Sequence, residues 1–287
     1  MKLLFGSDFH GNIFHFQKLV SVAQEHVCNA IILGGDLCPR GGALKAKLKT
    51  SDDTSIIVGQ YEWFRDELAP VLATSTIPVF LIFGNSDRSV IYAQLKHEFE
   101  SPLLTFVKKE TVKLPGGEYS LYGYPHVPAS DHKAKDWEKL DLGPEDLRTR
   151  ILVLDGTVSD SGRIEAGSVS TALSQSILWD MEHLDFEPED CAKMVWVTHA
   201  PPYGTNLDLN HGHAHVGSVA IHRAIEKYQP LATFHGHIHE TVKISGQFVS
   251  KIGRTVSCSS GNNFHHETAH FVLMDLQNPE GAQRLEA

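Results

Sequence analysis

Five short apolar runs, each stopped by a polar or glycine-bearing turn, constrain this chain more than any other feature. Residues 2–6, 30–33, 78–83, 193–197 and 231–234 form these runs. Segments of this length and composition read as buried strands of a covered sheet. Where such strands lie side by side, the loops leaving their carboxyl ends converge in one crevice, so residues distant in sequence share a site. The turns at their ends read Ser7-Asp8-Phe9-His10-Gly11-Asn12, Gly34-Gly35-Asp36, Gly84-Asn85-Ser86-Asp87, Thr198-His199-Ala200-Pro201-Pro202 and Gly236-His237-Ile238-His239, with Arg40 just after the second.

Every one of these turns carries a side chain of metal-ligand type. In a chain with 18 His, one Asp-x-His or one His-x-His arises by chance; five such turns at five strand ends do not. The adjoining glycines let the backbone turn tightly beside a ligand. Two divalent cations about 3.5–4 Å apart clamp the attacking and leaving oxygens of a phosphoryl transfer. Such a pair needs a bridging carboxylate, for which Asp36 is the natural choice, with neutral imidazoles and an amide oxygen around it. A mixed imidazole and carboxylate set suits two transition-metal ions, Mn first and Fe, Zn, Co or Ni as alternatives, better than an all-oxygen calcium site. No thiolate cluster of the structural-zinc kind is present.

The ordered set Asp8-x-His10, Gly35-Asp36, Gly84-Asn85, His199 and Gly236-His237-x-His239 resembles the calcineurin-like metallophosphoesterase superfamily, from residue 8 to residue 239. The resemblance implies an α/β fold, a two-sheet sandwich flanked by helices, with a dinuclear site at the sheet edge. It implies that Asp8, His10 and His239 hold one metal, that Asn85, His199 and His237 hold the other, and that Asp36 bridges them. The stretches 199–205 and 236–240 further resemble a group of small bacterial and archaeal phosphoesterases. That family's third motif is Gly-Asn-His-Asp/Glu, in which the His protonates the leaving oxygen and the acid orients it. Here Ser86 stands at the His position and Asp87 is retained. A serine hydroxyl is too weak an acid to replace imidazole near neutral pH. Relatives with Cys at that place are associated with phosphodiester hydrolysis, so the departure points toward diesters with good leaving groups.

Other residues admit two readings. Arg40 matches the place where protein phosphatases of the superfamily carry a phosphate-gripping arginine, and its planar fork suits bidentate phosphate contact; the alternative is a solvated arginine in a Gly-rich loop. Asn12 either caps the helix after it or lines the pocket. His211, His213 and His215 alternate in one loop, and either supply the missing acid, bind phosphate or sense metal, or are plain surface residues. Lys45, Lys47 and Lys49 either steer an anion or are solvated.

With 287 residues and 41% apolar content the chain buries a large core, and a single domain over 1–287 is expected. Helices are expected over 13–26, 56–73 and 219–228 from their apolar spacing. An antiparallel edge is expected from the strand-rich tail over 242–276. The rhythm breaks over about 103–181, read as an insertion near the site with a hairpin at Pro115-Gly116-Gly117 and a polar stretch over 131–145. A net charge of −10 offers no broad basic face for duplex nucleic acid. Cys28, Cys38, Cys191 and Cys258 lack paired spacing and fit reduced thiols in a cytoplasmic protein. A first strand starting at Lys2 leaves no room for a signal peptide, and no apolar run is long enough to span a membrane.

The expected activity is metal-dependent hydrolysis of a small phosphodiester or nucleotide-like substrate by a hydroxide bridging two cations, which lower the pKa of bound water. The catalytic set is Asp36, Asn85, Asp87 and Arg40. The alternatives are a phosphomonoesterase or protein phosphatase, against which Ser86 argues, and a non-catalytic metal-binding interaction module, against which seven intact ligand positions argue.

Overall fold

The structure, a computed structural model, describes residues 1–49, 52–149, 152–160 and 162–287. Its strands in chain order are β1 (Lys2–Gly6), β2 (Ala30–Gly34), β3 (Val79–Ile82), β4 (Leu104–Phe106), β5 (Thr111–Lys113), β6 (Ser120–Tyr124), β7 (Val127–Pro128), β8 (Glu138–Lys139), β9 (Asp155–Asp160), β10 (Arg163–Ser168), β11 (Met194–Thr198), β12 (Ala232–His235), β13 (Val249–Ile252), β14 (Thr255–Ser259), β15 (His270–Asp275) and β16 (Asn278–Glu286). Two six-stranded sheets dominate, ordered β16-β15-β1-β2-β3-β4 and β13-β14-β12-β11-β6-β5. In the first, β1 to β4 run parallel; in the second, β14, β12, β11 and β6 do. Parallel strands send all their carboxyl ends to one edge of a sheet.

The apolar runs are continuous because both faces of each strand are buried. Leu3 and Phe5, Ile32, Phe80 and Ile82 point between the sheets, where they meet Val195, Val197, Ala232 and Phe234. Leu4, Ile31, Leu33, Val79 and Leu81 point the other way, against the helices outside the first sheet. On the far side of the second sheet, Trp196 and Tyr122 pack under Ile221, Ala224, Ile225 and Tyr228. Phe5 and Phe234 stack across the seam with centroids 4.9 Å apart, a contact worth about 0.5–1.5 kcal/mol beyond its buried area. The result is an α/β two-sheet sandwich flanked by helices.

Helices Ile13–Glu25 and Val219–Tyr228 lie where the apolar spacing places them. Ser218 caps the second, its Oγ accepting from Ile221 N. The expected helix over 56–73 begins at Thr54 and is interrupted by a π-turn, Phe64–Leu68. Asn12 does not cap with its side chain. Its Nδ2–H donates instead to the carbonyls of Phe264 (3.0 Å) and His266 (3.4 Å), so it fastens a distant loop to the helix start.

Two expectations change. The tail is not one antiparallel edge: it opens with a helix, Thr241–Ser245, and its strands divide between the sheets, with β14 parallel to β12 and β15 antiparallel to β1. Composition carries no strand direction, so the partner had to come from tertiary packing. The segment 103–181, of which 150, 151 and 161 lie outside the described residues, is less separate than its broken rhythm implies. β4 and the β5–β6 hairpin belong to the main sheets, and three-residue strands are too short to show a period. The stretch after this hairpin is tied to the third site loop, where Trp137 Nε1–H donates to the Asp87 carbonyl (2.6 Å) and Arg88 pairs with Asp136 (2.7 Å). All four cysteines are free and buried. Among the described residues no helix is long and apolar enough to cross a membrane.

Candidate metal centre

Each ligand candidate stands just past the carboxyl end of a parallel strand: Asp8 and His10 after β1, Asp36 after β2, Asn85 after β3, His199 after β11, and His237 and His239 after β12. The backbone there is unusual. Nine non-glycine residues among those described have positive φ, and four of them are Asp8 (62°), His10 (44°), Asp36 (52°) and His237 (69°). Left-handed conformations of this kind cost of order 1–3 kcal/mol each and persist only where the surroundings enforce them. Here the first two loops are zipped together, with Asp8 N donating to Gly35 O (3.1 Å), His10 N to Asp36 O (2.9 Å) and Gly11 N to Leu37 O (2.8 Å).

The structure brings all seven residues together, in two groups. In the first, His10 Nε2 and His239 Nε2 are 3.0 Å apart, with Asp8 Oδ1 3.6 Å from His239 and Asp36 Oδ2 3.4 Å from His10. One donor atom from each of these four residues lies within 4.8 Å of the others. In the second, Asn85 Oδ1 is 2.9 Å from His237 Nδ1 and 3.2 Å from His199 Nε2. The other Asp36 oxygen, Oδ1, is 3.4 Å from that same His199 nitrogen. One carboxylate thus faces both groups, which is what a bridge between two cations requires. Imidazole, carboxylate and amide-oxygen donors converge here, a set whose chemistry fits divalent metal.

Supporting bonds aim these donors. His199 Nδ1–H donates to the Gly34 carbonyl (2.7 Å), leaving Nε2 for the site. Asp8 Oδ1 accepts from His237 N (2.9 Å), and Asp36 accepts from Ser86 N (2.8 Å) and Ser86 Oγ–H (3.1 Å). Gly84 has to lack a side chain, since a Cβ there would overlap Asp36 Oδ1 and stand 2.5 Å from His199 Nε2. Burial opposes charge on Asp36, yet His199 and His10 hold its carboxyl well below the usual range. Burial likewise opposes charge on His199, but Asp36 raises it to about 9. Burial lowers His10 and His237 to about 3, which keeps both rings neutral and ready to ligate.

Asp87 takes a different place from the catalytic one expected of it. It is fully buried, and its oxygens accept from the amides of Leu37 (3.2 Å), Cys38 (2.8 Å) and Gly84 (2.9 Å). It braces the second loop against the third and is a positioning residue. Burial, with Asp36 nearby, pushes its carboxyl up to about 7, against those three amides. Ser86 is also committed, since its hydroxyl donates to the Asp36 carboxylate.

A cleft of about 570 Å³ opens over the site. Asp36, Asn85, His237 and His239 share its lining with Arg40, Ser130, Asp131, His132, Tyr203, Asn210, His215 and Glu240. Arg40 lies over the Phe264 ring, 4.8 Å from its centroid, and Arg40 Nη2 is 3.4 Å from His10 Nε2. Lys45 is paired with Asp53, while Lys47 and Lys49 are exposed. The histidine loop resolves unequally. His215 lines the cleft; His211 Nε2 is 3.8 Å from Glu240 Oε1, and His213 is exposed. Phe264 escaped the sequence reading, and its ring stands 4.5 Å from that of His10 and 5.7 Å from that of His239. The one signal was a lone aromatic in the polar turn Asn262-Asn263-Phe264-His265-His266. Asp208, fully buried in the histidine loop, escaped as well.

The sequence matches the family described as calcineurin-like phosphoesterase over residues 1–241. Solved structures share the fold. One crystal structure matches at a TM-score of 0.65 and 15% identity over 99% of this chain and 98% of its own. A Thermus thermophilus protein matches at 0.54 and 16% over 100% and 97%. A dimetal phosphatase from Danio rerio matches at 0.52 and 11% over 95% and 91%. No curated protein matches the chain significantly.

Proposed function

As this chain belongs to the calcineurin-like phosphoesterase family and is a metal-dependent phosphoesterase, we propose that phosphodiesters are the esters it cleaves best, in a small or nucleotide-like substrate. The observation that carries this reading is the charge of the cleft. Arg40 is the one lysine or arginine among the described residues lining it, and Asp131 and Glu240 line it too. Bound metal would attract either ester; what the lining adds to it is one guanidinium, which matches the single negative charge of a diester, whereas the second charge of a monoester dianion would also face two carboxylates. The Ser86 hydroxyl, engaged with Asp36, supports the reading, because no acid stands where a monoesterase of this family would keep one.

Asp8, His10 and His239, and Asn85, His199 and His237, would hold two divalent ions, manganese first among the transition metals, with Asp36 between them. Such ions supply Lewis acidity and an activated water. The chain's own residues do the rest. Arg40 holds a non-bridging phosphoryl oxygen and offsets charge that gathers there in the transition state. Phe264 keeps the guanidinium in place, and Asp87 keeps the second and third loops in register.

Metal-loaded protein assayed with bis-p-nitrophenyl phosphate and with p-nitrophenyl phosphate tests the proposal. A kcat/KM at least tenfold higher for the diester is expected. Equal or faster monoester hydrolysis would refute the diester preference, and stoichiometric metal without turnover would favour a binding module.

A further inference from the structure

We propose that His215, oriented by Asp208, is the general acid that protonates the leaving oxygen, an inference that rests on the phosphodiesterase reading. The geometry is that of a fixed proton donor. His215 Nδ1–H donates to Asp208 Oδ1 at 2.7 Å. Asp208 is fully buried and is itself held by three backbone amides: Oδ2 accepts from Gly204 (3.0 Å) and Gly217 (3.1 Å), Oδ1 from Thr205 (3.0 Å). A carboxylate given that many partners inside a surface loop is there to be rigid. It locks the imidazole by one nitrogen, and the Tyr203 ring, 5.8 Å away, flanks the same imidazole. Nε2 is then the ring's free nitrogen, on a side chain that lines the cleft together with Asn85, His237 and His239.

Nothing in the ligand geometry uses this pair. His215 ligates neither group of the metal centre, and the loop that carries it contributes no other histidine to the cleft. The reaction lacks one component, since Ser86, at the position the family gives to its acid, donates its hydroxyl proton to Asp36. His215 supplies that component from a different loop. In the step, a water-derived oxygen forms a bond to phosphorus while the phosphorus–ester oxygen bond breaks. The electron pair of that bond goes to the departing oxygen, which takes the Nε2 proton. A neutral alcohol leaves, and the imidazole, now neutral but still bonded to Asp208, regains its proton from solvent.

A comparison of methyl and p-nitrophenyl diesters with the metal-loaded wild type, His215→Ala and Asp208→Asn tests the proposal. An alkoxide needs the proton and a nitrophenolate does not, and general acid catalysis is worth about 10²–10⁴-fold. His215→Ala is therefore expected to lose at least about 10²-fold on the methyl ester and less than about fivefold on the aryl ester. Added imidazole should restore part of the methyl-ester rate in His215→Ala and leave the aryl rate unmoved. Asp208→Asn should show the same selective loss, a signature that general loosening of the loop would not give. If Asp208→Asn fails to fold, His215→Ala with imidazole decides alone, since that side chain lies at the surface. Equal losses on both esters, or no loss on either, would overturn the assignment. Absence of wild-type turnover on both esters would overturn the phosphodiesterase reading and this inference with it.

Discussion

Replacing Phe264 with alanine isolates one contact whose worth can be worked out from the structure. The Arg40 guanidinium lies 4.8 Å above the ring centroid, inside the range where cation–π attraction contributes about 0.5 kcal/mol when exposed and 2 kcal/mol when desolvated. If that attraction holds the guanidinium in place for the phosphoryl group, its loss appears in the transition state. At about 1.36 kcal/mol per factor of ten, the expected fall in kcat/KM is about 2- to 30-fold. Arg40→Ala removes the donor itself and should cost about 10²-fold, the scale of a deleted charge-stabilising donor, with Arg40→Lys recovering only part because it lacks the planar fork. The decisive measurement is the double variant. When Phe264 acts through Arg40, Phe264→Ala adds almost nothing once Arg40 is gone, and the coupling energy equals the single-variant effect. Metal content by atomic spectroscopy accompanies the kinetics, because the ring also lies 4.5 Å from that of His10. Two losses that simply multiply, with metal content unchanged, would refute the claim that Phe264 positions Arg40.

Asp36→Asn should lower turnover by several orders of magnitude and bound metal from two equivalents toward one or none, with the circular dichroism of the fold retained; full activity in metal-stripped protein would sink the two-metal reading. Gly84→Ala should abolish metal binding without touching any ligand's identity, since its Cβ collides with Asp36 and His199; metal affinity equal to wild type by titration would contradict the packing. Metal binding should release a proton from His199. Its ring is raised to about 9, so it is charged at neutral pH and must become neutral to ligate. Through this group, affinity should fall about tenfold for each unit of pH below about 9. Calorimetry in buffers of different ionisation enthalpy reads the release directly, and a buffer-independent enthalpy at pH 7 would show that no proton leaves.

The strands and the seven residues that the structure gathers at one edge could be read from sequence because each is a local pattern, a continuous apolar run ended by a turn with a ligand-type side chain. What could not be read depends on partners far along the chain. Asn12 looks like a helix cap, yet its amide reaches carbonyls more than 250 residues away. Asp87 has the look of a site acid until its three amide donors, from two different loops, are seen. His215 could not be told from His213 in sequence, since what separates them is the bond to the buried Asp208 and a place in the cleft lining. Phe264 lies beyond the residues matched by the family and enters the site through a loop held by Asn12. Strand direction in the tail failed for the same reason: sequence specifies which residues want to be covered, and topology decides by what.

The loops that carry the ligand candidates come from both sheets, Asp8, His10, Asp36 and Asn85 from one and His199, His237 and His239 from the other. Bound cations would therefore act as rivets across the open edge of the sandwich, where the apolar seam between the sheets gives out. Pulling the sheets apart would first require several coordination bonds to let go within one small volume. Metal binding should then slow unfolding far more than it speeds folding, so that kinetic persistence rises with loading. Amide hydrogens at the carboxyl ends of β1, β2, β3, β11 and β12 should gain exchange protection together, as one mechanical unit. Removing either group of ligand candidates would let that whole edge breathe, including the loop that carries Arg40, whose Nη2 lies 3.4 Å from His10 Nε2.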